Sequence, residues 1–290
     1  MNPLKPVTAT RATLGEGALW HKDRLYWVDI EEKRIYIYNP KTREERYLQL
    51  DAMVGTVVVR ARGGLVAALE NGFAFVDEET GKVEPVADPE ADKPENRFND
   101  GKCDPAGRLW AGTMARSGQG KNGALYTLET DGRTVVRKLD GVGISNGICW
   151  SLDHKTMYYV DSPTRQVVAF DYDKQTGAIA NRRVVVEISP EEGVPDGMTI
   201  DERGYLWIAL WDGWAVVCHD PATGTRHAKV ELPAARITSC AFGGDDLGDL
   251  YITSARSGLS AEALARQPDA GGLFCTRVGV RGVPSFAYQG

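Results

Sequence analysis

One short strand-like pattern recurs six times along the chain, and this repeat constrains the fold more than any other feature. Each copy begins with Leu or Met and continues with aromatic or β-prone residues, and a turn sequence precedes it. Successive copies start 40, 44, 48, 49 and 44 residues apart. The copies occupy residues 25–28, 65–68, 109–112, 157–160, 206–209 and 250–253. The chain is therefore built from six similar units.

Each unit contains more than one strand. An apolar segment lies before the turn and another lies behind the repeated pattern, which gives three or four short strands per unit. Units of this kind with a period in the forties are typical of propeller blades. Helical periodicity is scarce outside 260–266, and a β-sandwich would not need six copies of one unit. The sequence predicts an all-β, six-bladed β-propeller, with residues 1–290 as its single domain.

The charge and hydropathy of the chain exclude several classes of partner. The 34 Lys and Arg against 40 Asp and Glu give a net charge of −6, which does not favour DNA, RNA or an anionic membrane surface. The start of the chain lacks a secretory signal pattern, and no apolar run is long enough to cross a bilayer. We therefore expect a cytoplasmic protein that binds neither nucleic acid nor membrane.

The first strand of every propeller blade lies nearest the central channel, so residues at the same position in different first strands meet around the axis. Here the first strands begin with a recurring pair in which glycine comes second. The pairs are Glu16-Gly17, Val54-Gly55, Asp100-Gly101, Asn146-Gly147 and Asp196-Gly197, with Thr238-Ser239 as a looser sixth match. Asn-Gly and Asp-Gly pairs also form turns, and that interpretation stays open for any single copy. Glu16-Gly17 is not a turn sequence.

This arrangement predicts a metal site. Three carboxylates and one amide would converge near one end of a narrow channel, where like charges resist joint ionisation unless a cation is bound. The side chains offer only oxygen atoms, which suit Ca²⁺, Mg²⁺ or Mn²⁺, while Zn²⁺ and Fe²⁺ fit where several waters complete the shell. The sequence predicts one divalent ion without identifying it.

Other catalytic chemistries lack the residues they need. The four histidines lie in or beside polar turns or irregular segments, which argues against a Ser-His-Asp or Cys-His nucleophile at the axis. No glycine-rich loop joins a strand to a helix, so a nucleotide cofactor has no obvious binding site. The five cysteines form no closely spaced pair and are expected to be reduced core residues.

Four motifs carry a resemblance to a known family. They are Leu-Gly-Glu-Gly at 14–17, Asn-Arg-Phe-Asn-Asp-Gly-Lys at 96–102, Ser-Asn-Gly at 145–147 and Pro-Asp-Gly at 195–197. With them the chain resembles the senescence-marker-protein-30/gluconolactonase family, also called regucalcin-like, from Gly15 to Gly272. Four ordered motifs on one repeat frame make this resemblance specific at the level of the family.

The resemblance implies a metal-dependent hydrolase that opens the ring of pentose or hexose aldonolactones in carbohydrate metabolism. The family's metal ligands fall on Glu16, Asn146 and Asp196, and its substrate-contacting residues fall on Arg97 and Asn99. Three protein ligands leave coordination positions open for water and substrate. Asp196 is the expected general base for the attacking water, and the metal is expected to polarise the carbonyl.

The strand position and the family motif disagree in the third blade. Position within the repeat selects Asp100, whereas the family motif selects Asn99, so we expect Asn99 to contact substrate and Asp100 to support the site from behind. Asp29 and Asp161 follow valines at matching points of two repeats and are expected to make structural hydrogen bonds. The segment from Trp211 to Trp214 either walls the pocket or packs within the fold.

Two alternative functions stay open at this point. One is a calcium-binding regulatory or scaffold propeller without turnover, and the other is a broader metal-dependent esterase or organophosphate hydrolase. The sequence does not identify the sugar, because the loops over the channel mouth, such as 115–122, carry no residue pattern that specifies stereochemistry.

Overall fold

Six antiparallel sheets surround a central axis as the blades of a propeller, which confirms the architecture predicted from the repeat. The computed structural model describes residues 4–290. Five blades have four strands and the sixth has three. No helix among the described residues is long and apolar enough to cross a membrane. That residues 1–290 form a single domain stays a prediction.

The first three blades follow one another along the chain. Blade 1 contains β1 (Gly15–His21), β2 (Arg24–Asp29), β3 (Arg34–Asn39) and β4 (Glu44–Gln49). Blade 2 contains β5 (Val54–Val59), β6 (Leu65–Leu69), β7 (Gly72–Val76) and β8 (Val83–Ala87). Blade 3 contains β9 (Asn96–Cys103), β10 (Leu109–Ala115), β11 (Gly123–Leu128) and β12 (Val135–Val142).

The last three blades complete the ring. Blade 4 contains β13 (Ser145–Trp150), β14 (Thr156–Asp161), β15 (Gln166–Tyr172) and β16 (Ile179–Glu187). Blade 5 contains β17 (Val194–Ile200), β18 (Leu206–Trp211), β19 (Ala215–His219) and β20 (Arg226–Glu231). Blade 6 contains β21 (Arg236–Gly243), β22 (Asp249–Ala255) and β23 (Phe274–Arg277), and the helix α1 (Ala261–Arg266) lies between its last two strands.

The N-terminal segment lies beside the last strand of blade 6 and closes the ring. Pro6 forms an antiparallel bridge with Phe274, and the backbone N–H of Val7 donates to the carbonyl oxygen of Leu273 at 2.7 Å. This segment takes the place of a fourth strand in blade 6. Chain ends far apart in sequence are thereby joined, which the sequence repeat did not reveal.

The hydrophobic core lies between the blades, and the repeated pattern supplies much of it. The residue that begins each of the six copies is fully buried, with an exposed fraction of 0%. These residues are Leu25, Leu65, Leu109, Met157, Leu206 and Leu250. The repeat is therefore a packing requirement, because the second strand of every blade is covered on both faces.

The residue-glycine pairs at the axis lie inside strands, so the turn interpretation of Asn-Gly and Asp-Gly is wrong here. Asn146-Gly147 belongs to β13 and Asp196-Gly197 to β17. A Cβ added at Gly147 would lie 2.6 Å from the Cβ of Met198 and 2.7 Å from the carbonyl oxygen of Asp196. Glycine is needed because the inner strands of neighbouring blades approach one another closely at this point.

Candidate metal centre

A cavity of about 300 Å³ opens at one end of the central channel, where the inner strands begin. All five residues singled out in the sequence for metal or substrate line it, although they come from four different blades. They are Glu16 on β1, Arg97 and Asn99 on β9, Asn146 on β13 and Asp196 on β17. The structure brings these residues together, while their roles stay predictions.

The two carboxylates of this group are buried. Glu16 is 4% exposed and Asp196 is 5% exposed. Loss of water raises the pKa of Glu16 to about 8, and the nearby charge of Asp100 adds to this effect. Burial, followed by the charges of Glu16 and Asp100, raises the pKa of Asp196 well above its usual range. The protein therefore holds two carboxylates, Glu16 and Asp196, that do not ionise readily without a bound cation.

Asn146 is oriented by a residue that the sequence analysis did not identify. Its Nδ2 donates to the hydroxyl oxygen of Ser162 at 2.8 Å, and that hydroxyl donates to the carbonyl oxygen of Pro195 at 2.6 Å. The amide Oδ1 is thereby directed away from Ser162. Ser162 follows β14, outside every motif of the inner strands, so only the tertiary structure connects it with the site.

The residues present fit a divalent cation. The Oδ1 atom of Asp196 is buried and has no hydrogen-bond partner within residues 4–290, which is costly for a polar atom unless a ligand satisfies it. Glu16 and Asn146 supply further oxygen atoms in the same cavity. Carboxylate and amide oxygens are the donors that hard cations prefer. Among the described residues, no histidine or cysteine lines this cavity.

The raised carboxylate pKa values predict a pH-dependent stability for the metal-free protein. The pKa of Glu16 lies near 8 in the fold, against a usual value of 4.5, so the folded state favours the protonated form. Its contribution to stability is therefore complete below about pH 4.5 and is lost as the pH rises toward 8. We expect the Tm of EDTA-treated protein to fall over this interval more steeply than that of Glu16→Gln.

This difference is measured by thermal unfolding followed by circular dichroism. Because a bound divalent ion favours ionised carboxylates, its addition is expected to remove most of the fall in the wild-type protein. Parallel curves for the wild-type protein and Glu16→Gln, both without metal, would contradict the prediction.

Arg97 and Asn99 form a connected pair beside the carboxylates. The Nη1 of Arg97 donates to the Oδ1 of Asn99 at 2.7 Å and to the carbonyl oxygen of Phe98 at 2.9 Å. Burial lowers the pKa of the guanidinium to about 10, so Arg97 keeps its charge at neutral pH. The Nε and Nη2 groups of Arg97 make no hydrogen bond to the described residues and remain available to a ligand.

The side chain of Asn99 is fixed by hydrogen bonds to other residues of the site. Its Nδ2 donates to the carbonyl oxygen of Ser145 at 2.8 Å and to the Oδ1 of Asn146 at 3.2 Å. Both amide hydrogens are thus committed within the protein. Asn99 therefore positions Arg97 and Asn146, and its own contact with a ligand is restricted to the Oδ1 acceptor.

Asp100 lies behind the cavity and not in it. Phe98 pairs with Thr113 and Gly101 pairs with Ala111, so a bulge places Asn99 and Asp100 together opposite Gly112. The side chain of Asp100 does not line the cavity, and it accepts a hydrogen bond from its neighbouring backbone N–H at 2.7 Å. In residues 4–290, no three His, Cys, Asp or Glu side chains are arranged to hold a metal ion. The position of Asp100 agrees with the expectation that it supports the site from behind, and its role stays a prediction.

Two further expectations from the repeat are confirmed. Asp29 accepts hydrogen bonds from the backbone N–H groups of Thr13 and Leu14, and Asp161 accepts from those of Gly143 and Ile144. Each aspartate thus fixes the chain that leads into an inner strand. Both contribute to the geometry of the site without lining it.

The two tryptophans of 211–214 have different environments. Trp211 lines the cavity, and the guanidinium carbon of Arg236 lies 4.6 Å from the centre of its ring. Trp214 is 44% exposed and does not line the cavity. Only Trp211 fulfils the pocket-wall interpretation.

Comparisons with known proteins agree with the fold and the motifs. The family model described as "SMP-30/Gluconolactonase/LRE-like region" matches residues 14–256. Regucalcin of Danio rerio is 47% identical over 289 residues, which cover 98% of this chain and 97% of that protein. A solved luciferin-regenerating enzyme aligns with a TM-score of 0.93 at 33% identity, covering 99% of this chain and 98% of that one.

A second solved structure also aligns with nearly the whole chain. The calcium-binding protein regucalcin from Agrobacterium tumefaciens aligns with a TM-score of 0.93 at 28% identity and covers 98% of this chain and 97% of that one. The matched region contains every residue discussed above as a candidate for metal or substrate. This chain therefore belongs to the SMP-30/gluconolactonase/LRE-like family.

Proposed function

We propose that this protein is a metal-dependent lactonase that opens the ring of sugar aldonolactones to the sugar acid. One observation carries the proposal: a single cavity contains two buried carboxylates, an oriented amide and a charged arginine with free N–H groups. Membership in a family whose description includes gluconolactonase supports the same reaction. The substrate is a pentono- or hexonolactone.

Asp196 is the residue proposed to move the proton. As the oxygen of a water molecule bonds to the carbonyl carbon, the carboxylate of Asp196 accepts the proton that the water loses. The bond between the carbonyl carbon and the ring oxygen then breaks, and the proton passes to that oxygen to form the hydroxyl of the sugar acid. The Oδ1 atom of Asp196 is buried in the cavity and accepts no hydrogen bond from residues 4–290, so it is free to interact with the ion or with the attacking water, which supports this role.

Arg97 and Asn99 are proposed to orient the substrate. The free N–H groups of Arg97 donate to the oxygen atoms of the lactone, while Asn99 keeps the guanidinium in place. The cavity also removes the lactone from bulk water, which strengthens these hydrogen bonds.

Glu16, Asn146 and Asp196 are the residues proposed to hold the divalent ion. Bound there, the ion would supply Lewis-acid polarisation of the lactone carbonyl. The name of the Agrobacterium relative describes calcium binding, which supports Ca²⁺ as one candidate. The oxygen ligands admit Zn²⁺, Mn²⁺, Mg²⁺ and Fe²⁺ as well.

A pH-stat assay tests the proposal. Acid release is measured with the γ- and δ-lactones of the arabinose, xylose, galactose and gluconic series, before and after EDTA treatment and after addition of each metal. We expect hydrolysis of at least one sugar lactone that EDTA abolishes and a divalent ion restores. Absence of metal-dependent hydrolysis with every sugar lactone would overturn the proposal.

The same assay separates the alternatives. A calcium-binding propeller without turnover would take up metal and hydrolyse none of the lactones, whereas a broader esterase would prefer aryl esters or organophosphates offered in parallel. The net charge of −6 supports a small-molecule substrate and not a nucleic acid. A cytoplasmic location stays a prediction.

A further inference from the structure

Three aliphatic side chains line the cavity beside the candidate ligands and are here called the collar. Leu14, Ile144 and Val194 each precede a ligand by two residues and line the same cavity. Val194 lies on β17, while Leu14 and Ile144 form bridges immediately before β1 and β13. Because side chains two residues apart in extended chain point to the same side, each collar residue faces the cavity together with the ligand of its own blade. The collar therefore follows from the same strand positions that assemble the ligands.

Two larger side chains complete the apolar wall. Met114 on β10 and Trp211 on β18 line the cavity between the collar residues. The Arg236 guanidinium that contacts the ring of Trp211 is itself fixed, since its Nε donates to Asp212 at 3.1 Å. Trp211 is thereby supported from behind and presents a fixed apolar surface to a ligand.

Most of the polar side-chain atoms that line the cavity are already paired. The amide groups of Asn99 and Asn146 and the hydroxyl of Ser162 hydrogen-bond to one another or to the backbone. The free N–H groups of Arg97 and the carboxylates are what remains for a ligand. A bound lactone can therefore satisfy its oxygen atoms on the carbonyl side of the ring, but not along the collar.

We propose that this site prefers lactones that carry hydroxyl groups near the carbonyl and hydrogen or alkyl groups at the far end, that is, deoxy-sugar lactones. The inference rests on the proposed lactonase function and names its substrate class. A hydroxyl pressed against the collar would lose its water without gaining a partner, which destabilises the complex. A methyl group at the same place gains from contact with the apolar wall.

Matched substrate pairs test the inference. Galactono-1,4-lactone and its 6-deoxy counterpart differ in one hydroxyl, and so do mannono-1,4-lactone and its 6-deoxy counterpart. We expect kcat/KM to favour the 6-deoxy member by about tenfold or more in the pair whose ring stereochemistry the site accepts. If both members of each pair are hydrolysed and kcat/KM for the 6-deoxy member is equal to or lower than that for its counterpart, the inference is overturned and the lactonase function stands. If none of the lactones is hydrolysed, both the inference and the proposed lactonase function are overturned.

A single substitution in the collar tests whether its apolar surface causes the preference for deoxy-sugar lactones. Val194→Thr keeps the shape of the side chain and places a hydroxyl in the wall, so the ratio of kcat/KM for the deoxy over the hydroxylated lactone is expected to fall at least about threefold. Ile144→Thr repeats the test on another blade. Val184→Thr is the matched control, because Val184 lies on β16 with 42% of its surface exposed. An unchanged ratio in both collar variants would contradict the proposal.

Discussion

Replacing Asp196 by Asn is expected to lower kcat by about a thousandfold, because the amide cannot accept the proton of the attacking water. The substitution keeps the size of the side chain and one of its oxygen atoms, so the cavity should keep its shape. The measurement is the pH-stat rate under saturating lactone with excess metal. A rate near that of the wild-type protein would show that Asp196 is not the base.

Two controls make this experiment specific. Metal content, measured after gel filtration, distinguishes a lost base from a lost ligand: retained metal with lost turnover supports the role as base. Asp171→Asn removes a carboxylate from the surface of blade 4, where the Asp171 side chain is 54% exposed and pairs with Arg183 outside the cavity, and is expected to leave kcat unchanged. The metal-free Asp196→Asn protein should also unfold at a higher temperature than the metal-free wild-type protein, because one of the three neighbouring buried carboxylates, Glu16, Asp100 and Asp196, is gone.

Replacing Gly147 by Ala is expected to destabilise the fold by about 2–3 kcal/mol and to weaken metal binding. The added Cβ would lie within 3 Å of atoms of Asp196 and Met198, so β13 and β17 would have to separate. That movement would part Asn146 from Asp196, two of the proposed ligands. Thermal unfolding and metal titration of the variant measure the two effects.

Gly141 provides the matched control. A Cβ at Gly141 meets no atom within 4 Å, although its φ of +67° is unfavourable for alanine. Gly141→Ala should therefore cost about 1 kcal/mol and leave metal affinity unchanged. Equal losses of metal affinity in the two variants would contradict the view that Gly147 is required for the approach of neighbouring blades.

The fold could be predicted to a large extent because the repeat is a packing pattern. The second strand of each blade needs the same buried residues at the same positions, and Leu25 or Leu206 can be recognised without knowledge of their neighbours. The closure of blade 6 could not be predicted in this way. Pro6 and Val7 carry no strand pattern, and their pairing with the strand around Phe274 depends on the completed ring.

The candidate ligands could be proposed because position along the inner strand determines which residues meet at the axis. Glu16, Asn146 and Asp196 obey this rule and line one cavity. In blade 3 the rule selects Asp100, but Asn99 lines the cavity. The glycine follows one residue later in this blade, and the bulge brings Asn99 to the position that Asn146 and Asp196 occupy in their blades. A bulge depends on hydrogen bonding with the neighbouring strand, so the sequence alone did not reveal it.

The sequence by itself therefore determined the six blades, the end of the channel at which polar residues gather and the motifs of the family, since these depend on local pattern and on position within a repeat. Only the tertiary structure decided how the side chains of the cavity are oriented and supported. Ser162 orients Asn146, Asp100 lies behind the site, and Arg236 supports the wall at Trp211. These relations join residues of different strands and blades, and their geometry is fixed by packing between blades and by the bulges of the inner strands.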